Sequence, residues 1–447
     1  MTFLSFPQGF QWGVASAAYQ VEGSANEDGR GLSIWDTFSH QPGRIHDGSN
    51  GDTTCDHYRR YREDVALMRD LGVQTYRFSV SWPRVMPTGR GPLNEAGLDF
   101  YDRLVDELLA NGIQPAVTLY HWDLPQSLQD LGGWASRDTA GRFADYAAAV
   151  IARLGDRVTR WITLNEPYIF VMFGHSTGWM APGIADDAIA ARSAHHALLG
   201  HGLAVQAFRA SGRPGEIGIT NFNTLFEPAD TEPETLAAVE LARDFETRLF
   251  HGPVFGKGYP ASVHTFYAER GAPLPILTGD METIAQPTDF LGLNIYSRQR
   301  IAAGEPRGRG FVHAPATLPL LPMGYEAAPH CLGDFARWIS AEYGNPKIYI
   351  TENGVCDNAD IGPDGQVHDA TRVDLLRGFL AGLHSAIADG VAVRAYYQWS
   401  LMDNWEWAWG FFNRFGIVHT DFTTQVRTPK DSAMFFKNLI TRNGLDA

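Results

Sequence analysis

Two short segments hold the residues best suited to chemistry. Thr163-Leu164-Asn165-Glu166-Pro167 closes one apolar run, and Ile350-Thr351-Glu352-Asn353-Gly354 closes another. Each glutamate stands where a strand would hand over to a loop. Two carboxyl groups about 5 Å apart can carry out double displacement at a sugar's anomeric carbon, one attacking as an anion and the other protonating the leaving oxygen. Read alone, Asn-Glu-Pro can also end a strand and open a helix, with the glutamate favourably placed in the first turn. The pair, not either member, points to retaining glycoside chemistry.

Something must bring two distant segments together. The chain alternates short apolar runs with amphipathic helical patterns. Eight strands are expected, at 10–15, 75–79, 114–119, 160–163, 217–221, 290–293, 348–351 and 395–399. Leu98, Tyr101, Leu104, Val105, Leu108 and Leu109 fall on one helix face, as do Val373, Leu376, Leu380, Leu383 and Ile387. Asn111-Gly112 and Asp389-Gly390 mark helix stops. Eight strand–helix units without a flexible linker predict an α/β fold, one (β/α)8 barrel with extended loops at its C-terminal face, spanning 1–447 as a single catalytic domain. The extra length falls near 174–187 and 297–328. A doubly wound open sheet is the rival, but it would spread the strand ends that a barrel gathers on one face.

Those strand ends offer Gln20, Arg77, His121-Trp122-Asp123, Asn165-Glu166, Asn294 with Tyr296, Glu352 and Trp399, followed by Asn404-Trp405-Glu406-Trp407. With Phe10-Gln11-Trp12-Gly13 through Gln20-Val21-Glu22-Gly23, Tyr76-Arg77-Phe78-Ser79 and Trp405-Glu406-Trp407, their order resembles that of glycoside hydrolase family 1, the β-glucosidase family, over almost the whole chain.

The chemistry assigns Glu352 as the ionised nucleophile, steadied by Arg77 and Tyr296, and Glu166 as the acid/base with a raised pKa. The resemblance places its arginine and tyrosine there too. It further implies that Asn165 holds the sugar 2-OH and that Gln20, His121 and Glu406 bond the outer hydroxyls. Trp407 would be a further hydroxyl partner, Trp399 a stacking platform, and Asn294 and Tyr296 members of the sugar site. Tyr325, where the family often has Trp, falls on the aglycone side; Met180 and Cys331 also depart from its usual residues.

The expected activity is hydrolysis of terminal β-D-glucosides, with β-galactosides or β-fucosides as side substrates. Glu406 in place of a serine disfavours a 6-phospho-β-glucosidase, and Glu166 in place of Gln disfavours a thioglucosidase. A non-catalytic sugar-binding barrel would usually have lost one glutamate. Transglycosylation would use the same intermediate.

The net charge of −15 argues against nucleic acid or an anionic membrane as partner. The expected partner is a small β-glucoside or short oligosaccharide, with no metal or organic cofactor. Three scattered cysteines, an N-terminus without a signal pattern and no long apolar stretch point to the cytoplasm. Gly174-His175-Ser176-Thr177-Gly178 matches a serine-esterase elbow, but Ala181-Pro182-Gly183 would interrupt the helix it needs. His195, His196 and His201 lie in an Ala/Leu-rich helical stretch and read as structural or surface residues.

Overall fold

The computed structural model describes residues 2–305 and 308–446; Met1, Ala447 and, within the 297–328 insertion, Pro306 and Arg307 lie outside it. Eight strands follow in chain order: β1 (Gln11–Ala15), β2 (Thr75–Ser79), β3 (Gln114–Tyr120), β4 (Arg160–Asn165), β5 (Glu216–Pro228), β6 (Phe290–Ala303), β7 (Ile348–Asn353) and β8 (Val393–Trp399). Each pairs in parallel with the next, and β8 returns to β1 through Trp399 opposite Ala15, so the sheet closes as a barrel. Closure leaves no open edge and buries β-branched and aromatic residues on both faces.

Helices between the strands form the outer ring. Glu95–Ala110 carries the expected stripe and ends at Asn111, and Ala370–Ala388 ends at Asp389. The longest, Asp187–Ser211, begins where Asp186 accepts from the amides of Ala188 and Ile189, and stops at Gly212 in the left-handed region. Such a stop suits Gly, which has no Cβ to clash.

The N-terminal mouth of the barrel is closed by Arg160. It donates to Tyr397 at 2.6 Å and Gln11 at 2.7 Å, with its guanidinium 4.2 Å from the Tyr349 ring centroid. That end is thus packed and paired, which leaves the C-terminal face for chemistry.

Two strands run far beyond their expected ends. Beyond the barrel, β5 and β6 continue as a ribbon, with Leu225 opposite Arg298 and Phe226 opposite Gln299. Phe226 and Ile301 on that ribbon pack with Ala238, Val239 and Ala242 of an outer helix. The 297–328 insertion is therefore partly strand rather than all loop. The termini meet as well, Phe3–Ser5 pairing antiparallel with Gly444–Asp446.

Candidate active site

Both glutamates stand at the C-terminal ends of their strands, and both line one cleft of about 560 Å³. Glu166 follows the last residue of β4 and takes a left-handed φ of 49° before Pro167 starts a short helix. Its amide is held by the carbonyl of Thr220 on β5 at 2.8 Å. Glu352 lies within β7, opposite Asn294 of β6. Just beyond it Gly354 passes so close to the carbonyl of Trp399 that a Cβ would overlap it, which accounts for the glycine in that motif.

The two carboxyls have different neighbours. Arg77 donates to Oε1 of Glu352 at 2.5 Å and the Tyr296 hydroxyl to Oε2 at 2.6 Å. Glu166 receives the amide of Asn294 at 2.7 Å. Burial first, then the charge of Glu352, pushes Glu166 well above the usual carboxylate range. Burial pushes Glu352 up too, but Arg77 and the hydrogen bonds from Tyr296 and Arg77 oppose it. Of the two, Glu166 is therefore the carboxyl whose protonated form is favoured more strongly. Tyr296 stays a donor, its own pKa raised by burial and by Glu352.

A relay of amides fixes this geometry. Asn165 Oδ1 accepts from Arg77 at 2.6 Å and from Asn294 at 3.1 Å. Its amide nitrogen must then face His121 Nε2, 3.0 Å away. Since Nε2 accepts, and burial and Arg77 hold His121 well below its usual pKa, the ring is neutral with its proton on Nδ1. That Nδ1 is buried with no partner among the described residues.

Gln20 repeats the pattern. Its amide nitrogen is shared among Asn404 Oδ1, the Trp405 carbonyl and Glu406 Oε2 at 2.9, 2.9 and 3.2 Å. Its Oε1 is buried and unpartnered among the described residues. A free donor on His121 and a free acceptor on Gln20 are costly inside a protein unless a ligand meets them. Glu406 is pushed up to about 8 by burial and by the charge of Glu352. Burial thus favours its protonated form, which carries both a donor and an acceptor.

The aromatic residues wall this space. Trp399 stacks on His121 with centroids 5.8 Å apart, and Trp407 lies 4.6 Å from Trp122. Tyr325 lines the cleft 6.1 Å from Tyr296. Its loop is anchored by Glu326, which accepts from Arg298 at 2.8 Å and from the Leu318 amide at 2.9 Å. Asn294, expected at the sugar, spends its amide on Asn165 and Glu166 and its oxygen on Thr351 at 2.7 Å. Three members of this wiring carry no role that residue type alone would suggest. They are Thr351, Thr118, which accepts from Arg77 at 3.1 Å, and Trp122, which donates to the Asn165 carbonyl at 2.8 Å. Their strand-end positions beside the assigned residues are the available signal.

Comparison with known proteins covers the whole chain. The family profile described as glycosyl hydrolase family 1 matches residues 3–445. The chain belongs to glycosyl hydrolase family 1. This family 1 chain is 45% identical to beta-glucosidase A of Acetivibrio thermocellus, over 99% of its own length and 100% of the relative's. It is 44% identical to beta-glucosidase A of Thermotoga maritima over the full length of both. The solved family 1 β-glucosidase of T. maritima superposes with a TM-score of 0.96, covering 100% of each chain at 44% identity. The same enzyme in complex with deoxynojirimycin gives 0.95, at 43% identity over 99% of this chain and 100% of that one.

The other motifs resolve differently in this family 1 chain. Ser176 lies in a π-helical turn, Met172–Ser176, that continues a helix, and it donates to Asp187 at 2.5 Å. No strand leads into it, as an elbow requires. His195 bonds Asp280 at 2.8 Å, His196 the Trp134 carbonyl at 3.1 Å and His201 Thr163 at 2.7 Å. All three are buried, so they are structural rather than surface residues.

Proposed function

We propose that the chain is a retaining β-glucosidase that acts as one catalytic unit, with Glu352 as nucleophile and Glu166 as acid/base. The observation that carries this reading is the asymmetry of the two buried carboxyls in one cleft, one held by Arg77 and Tyr296 and the other by Asn294. The relatives named β-glucosidase, over their full lengths, support the same reaction.

An oxygen of Glu352 attacks the anomeric carbon as its bond to the aglycone oxygen breaks. Glu166 gives its proton to that oxygen, and the aglycone leaves as an alcohol. Glu352, now an ester, no longer carries the charge that raised Glu166, so Glu166 takes a proton from water as the water oxygen attacks the same carbon. The ester bond breaks, and two inversions give net retention. Asn165 has one amide hydrogen left for the sugar 2-OH, while Gln20, His121 and Glu406 meet the outer hydroxyls and Trp399 and Trp407 the ring. The reaction needs only two carboxyls and water.

A terminal glucosyl unit with a free 6-OH fits best, since a 6-phosphate would bring its charge into a buried space that already holds the anion of Glu352 and against Glu406, whose burial disfavours charge. β-Galactosides and β-fucosides are side substrates in this reading, and Tyr325 faces the aglycone. Short β-glucosides and oligosaccharides, such as those from cellulose breakdown, are the substrate class. Among the described residues no helix is long and apolar enough to cross a membrane. The three cysteines are free and buried, which supports a reducing, cytoplasmic setting.

A panel of nitrophenyl glycosides tests the reading. Hydrolysis of the β-glucoside, with the galactoside and fucoside slower and the 6-phosphoglucoside inert, is expected. An inert β-glucoside, or a preferred 6-phosphoglucoside, would refute it.

A further inference from the structure

The loop after β8 is held from beneath by charges that the reaction does not use. Asp403, on that loop, is fully buried. Its Oδ1 accepts from Nζ of Lys430 at 2.8 Å and from the Gly416 amide at 3.0 Å, and its Oδ2 from Arg414 at 3.2 Å. Lys430 is buried as well, at the start of the helix Asp431–Arg442. Replacing a buried ion pair by apolar residues of similar volume is often neutral or stabilising, so stability alone gives no reason for this one. Asn404, the next residue, turns its amide nitrogen to the loop itself, donating to Ser400 Oγ at 3.0 Å and to the Met402 carbonyl at 3.1 Å. Its Oδ1 accepts from Gln20 at 2.9 Å. We propose that Asp403 and Asn404 are positioning residues which, anchored by Lys430, fix the amide of Gln20 so that its Oε1 faces the sugar.

The orientation is forced step by step. Ser400 gives its hydroxyl proton to the Met402 carbonyl at 2.8 Å, so towards Asn404 it can only accept. Asn404 must therefore turn its nitrogen to Ser400 and its oxygen to Gln20. Gln20 must in turn offer its nitrogen, which the Trp405 carbonyl at 2.9 Å also requires. That leaves Gln20 Oε1, buried and without a partner among the described residues, for a sugar hydroxyl. A flipped Asn404 would set donor against donor and draw Oε1 of Gln20 into the loop. Asp403 keeps Asn404 in place. Its amide donates to the Val418 carbonyl at 2.8 Å, and its carbonyl accepts from the Cys55 thiol at 3.3 Å. Gly416 lies so close to the backbone of Met402 and Asp403 that a Cβ would overlap it.

The inference rests on the β-glucosidase reading, and the test separates the two. Kinetics on 4-nitrophenyl β-glucoside are measured for Asn404→Ala and Lys430→Met, each alone and combined with Gln20→Leu, with a thermal melt of every variant to report folding separately. In the wild-type background kcat/KM should fall about five- to twentyfold for Asn404→Ala and about three- to tenfold for Lys430→Met. In the Gln20→Leu background, where no amide is left to orient, each should cost less than about twofold. Lys430→Met leaves Arg414 and the Gly416 amide on Asp403, so it keeps the comparison open if Asn404→Ala does not fold. Losses of equal size with and without Gln20 would make the loop a general support, and no loss in the wild-type background would make its charges purely structural; either result overturns the proposal. Inactivity of the wild type on the nitrophenyl glucoside would overturn the glucosidase reading and this inference with it.

Discussion

The guanidinium of Arg77 lies 2.5 Å from Oε1 of Glu352 through Nη1 and 2.6 Å from Oδ1 of Asn165 through Nη2. One buried cation thus contacts both the proposed nucleophile and the amide beside the proposed acid. Arg77→Met should move the acidic limb of the kcat/KM profile, which reports Glu352, to higher pH by roughly 1–3 units. It should also destabilise the fold by about 3–5 kcal/mol, because it leaves a buried carboxylate unpaired. Arg77→Lys keeps the charge and should hold the limb closer to its original position. An acidic limb that stays fixed in the methionine variant would detach Arg77 from Glu352's ionisation.

Glu166 should reveal itself through the leaving group. Glu166→Gln should slow cellobiose, which needs its leaving oxygen protonated, by roughly 10²–10⁴-fold. A dinitrophenyl glucoside leaves unaided, and its first step should be nearly unaffected. The basic limb of the pH profile should vanish in the same variant. Steady-state and burst kinetics across a series of aryl glucosides check this, and equal slowing of all leaving groups would speak against Glu166 as the donor.

Glu406 makes a stability signature. Its folded pKa of about 8 lies above the ordinary carboxylate value of 4.5, because of burial and the charge of Glu352. Between those values the folded chain keeps a proton that the unfolded chain releases, so stability present below pH 4.5 is lost as pH rises towards 8. Glu406→Gln removes that loss. Its advantage over the wild type should be small near pH 4.5 and grow by about 1.4 kcal/mol for each pH unit towards pH 8. Thermal melts across that range check the trend, and an advantage that does not vary with pH would contradict it.

His121 Nδ1 and Gln20 Oε1, both without a partner among the described residues, are proposed to hold the sugar together. His121→Phe or Gln20→Leu should each lower kcat/KM for the glucoside by about 10- to 100-fold, as expected for a hydrogen bond lost at a desolvated hydroxyl. Azide added to these variants should restore nothing, since neither residue performs the covalent step.

Much of this was legible in the residues themselves. Eight apolar runs separated by helical stripes permit few arrangements, and β2 falls at 75–79 as its Thr-Tyr-Arg-Phe-Ser pattern suggests. The strand ends that differ have a physical cause. β5 and β6 run on to Pro228 and Ala303 because Leu225 and Arg298 pair outside the barrel, where the continuous burial of a barrel strand gives way to half-exposed residues. At the site, residue types announced the chemistry but not its wiring. Asn294 looks like a sugar ligand from its strand-end position, yet three protein partners claim its amide group. The Trp179–Trp409 contact joins loops far apart in the chain, and no local spacing encodes such a meeting.

The division of labour between the two carboxyls is tested most directly by azide rescue with the product anomer read by NMR. In Glu352→Ala, azide enters the space of the missing nucleophile and displaces the aglycone in one inversion, so α-glucosyl azide is expected. In Glu166→Ala, azide attacks the glycosyl-enzyme from the opposite face, so β-glucosyl azide is expected. The same anomer from both variants, or no rescue of Glu352→Ala with an activated glucoside, would contradict the assignment of Glu352 as nucleophile and Glu166 as acid.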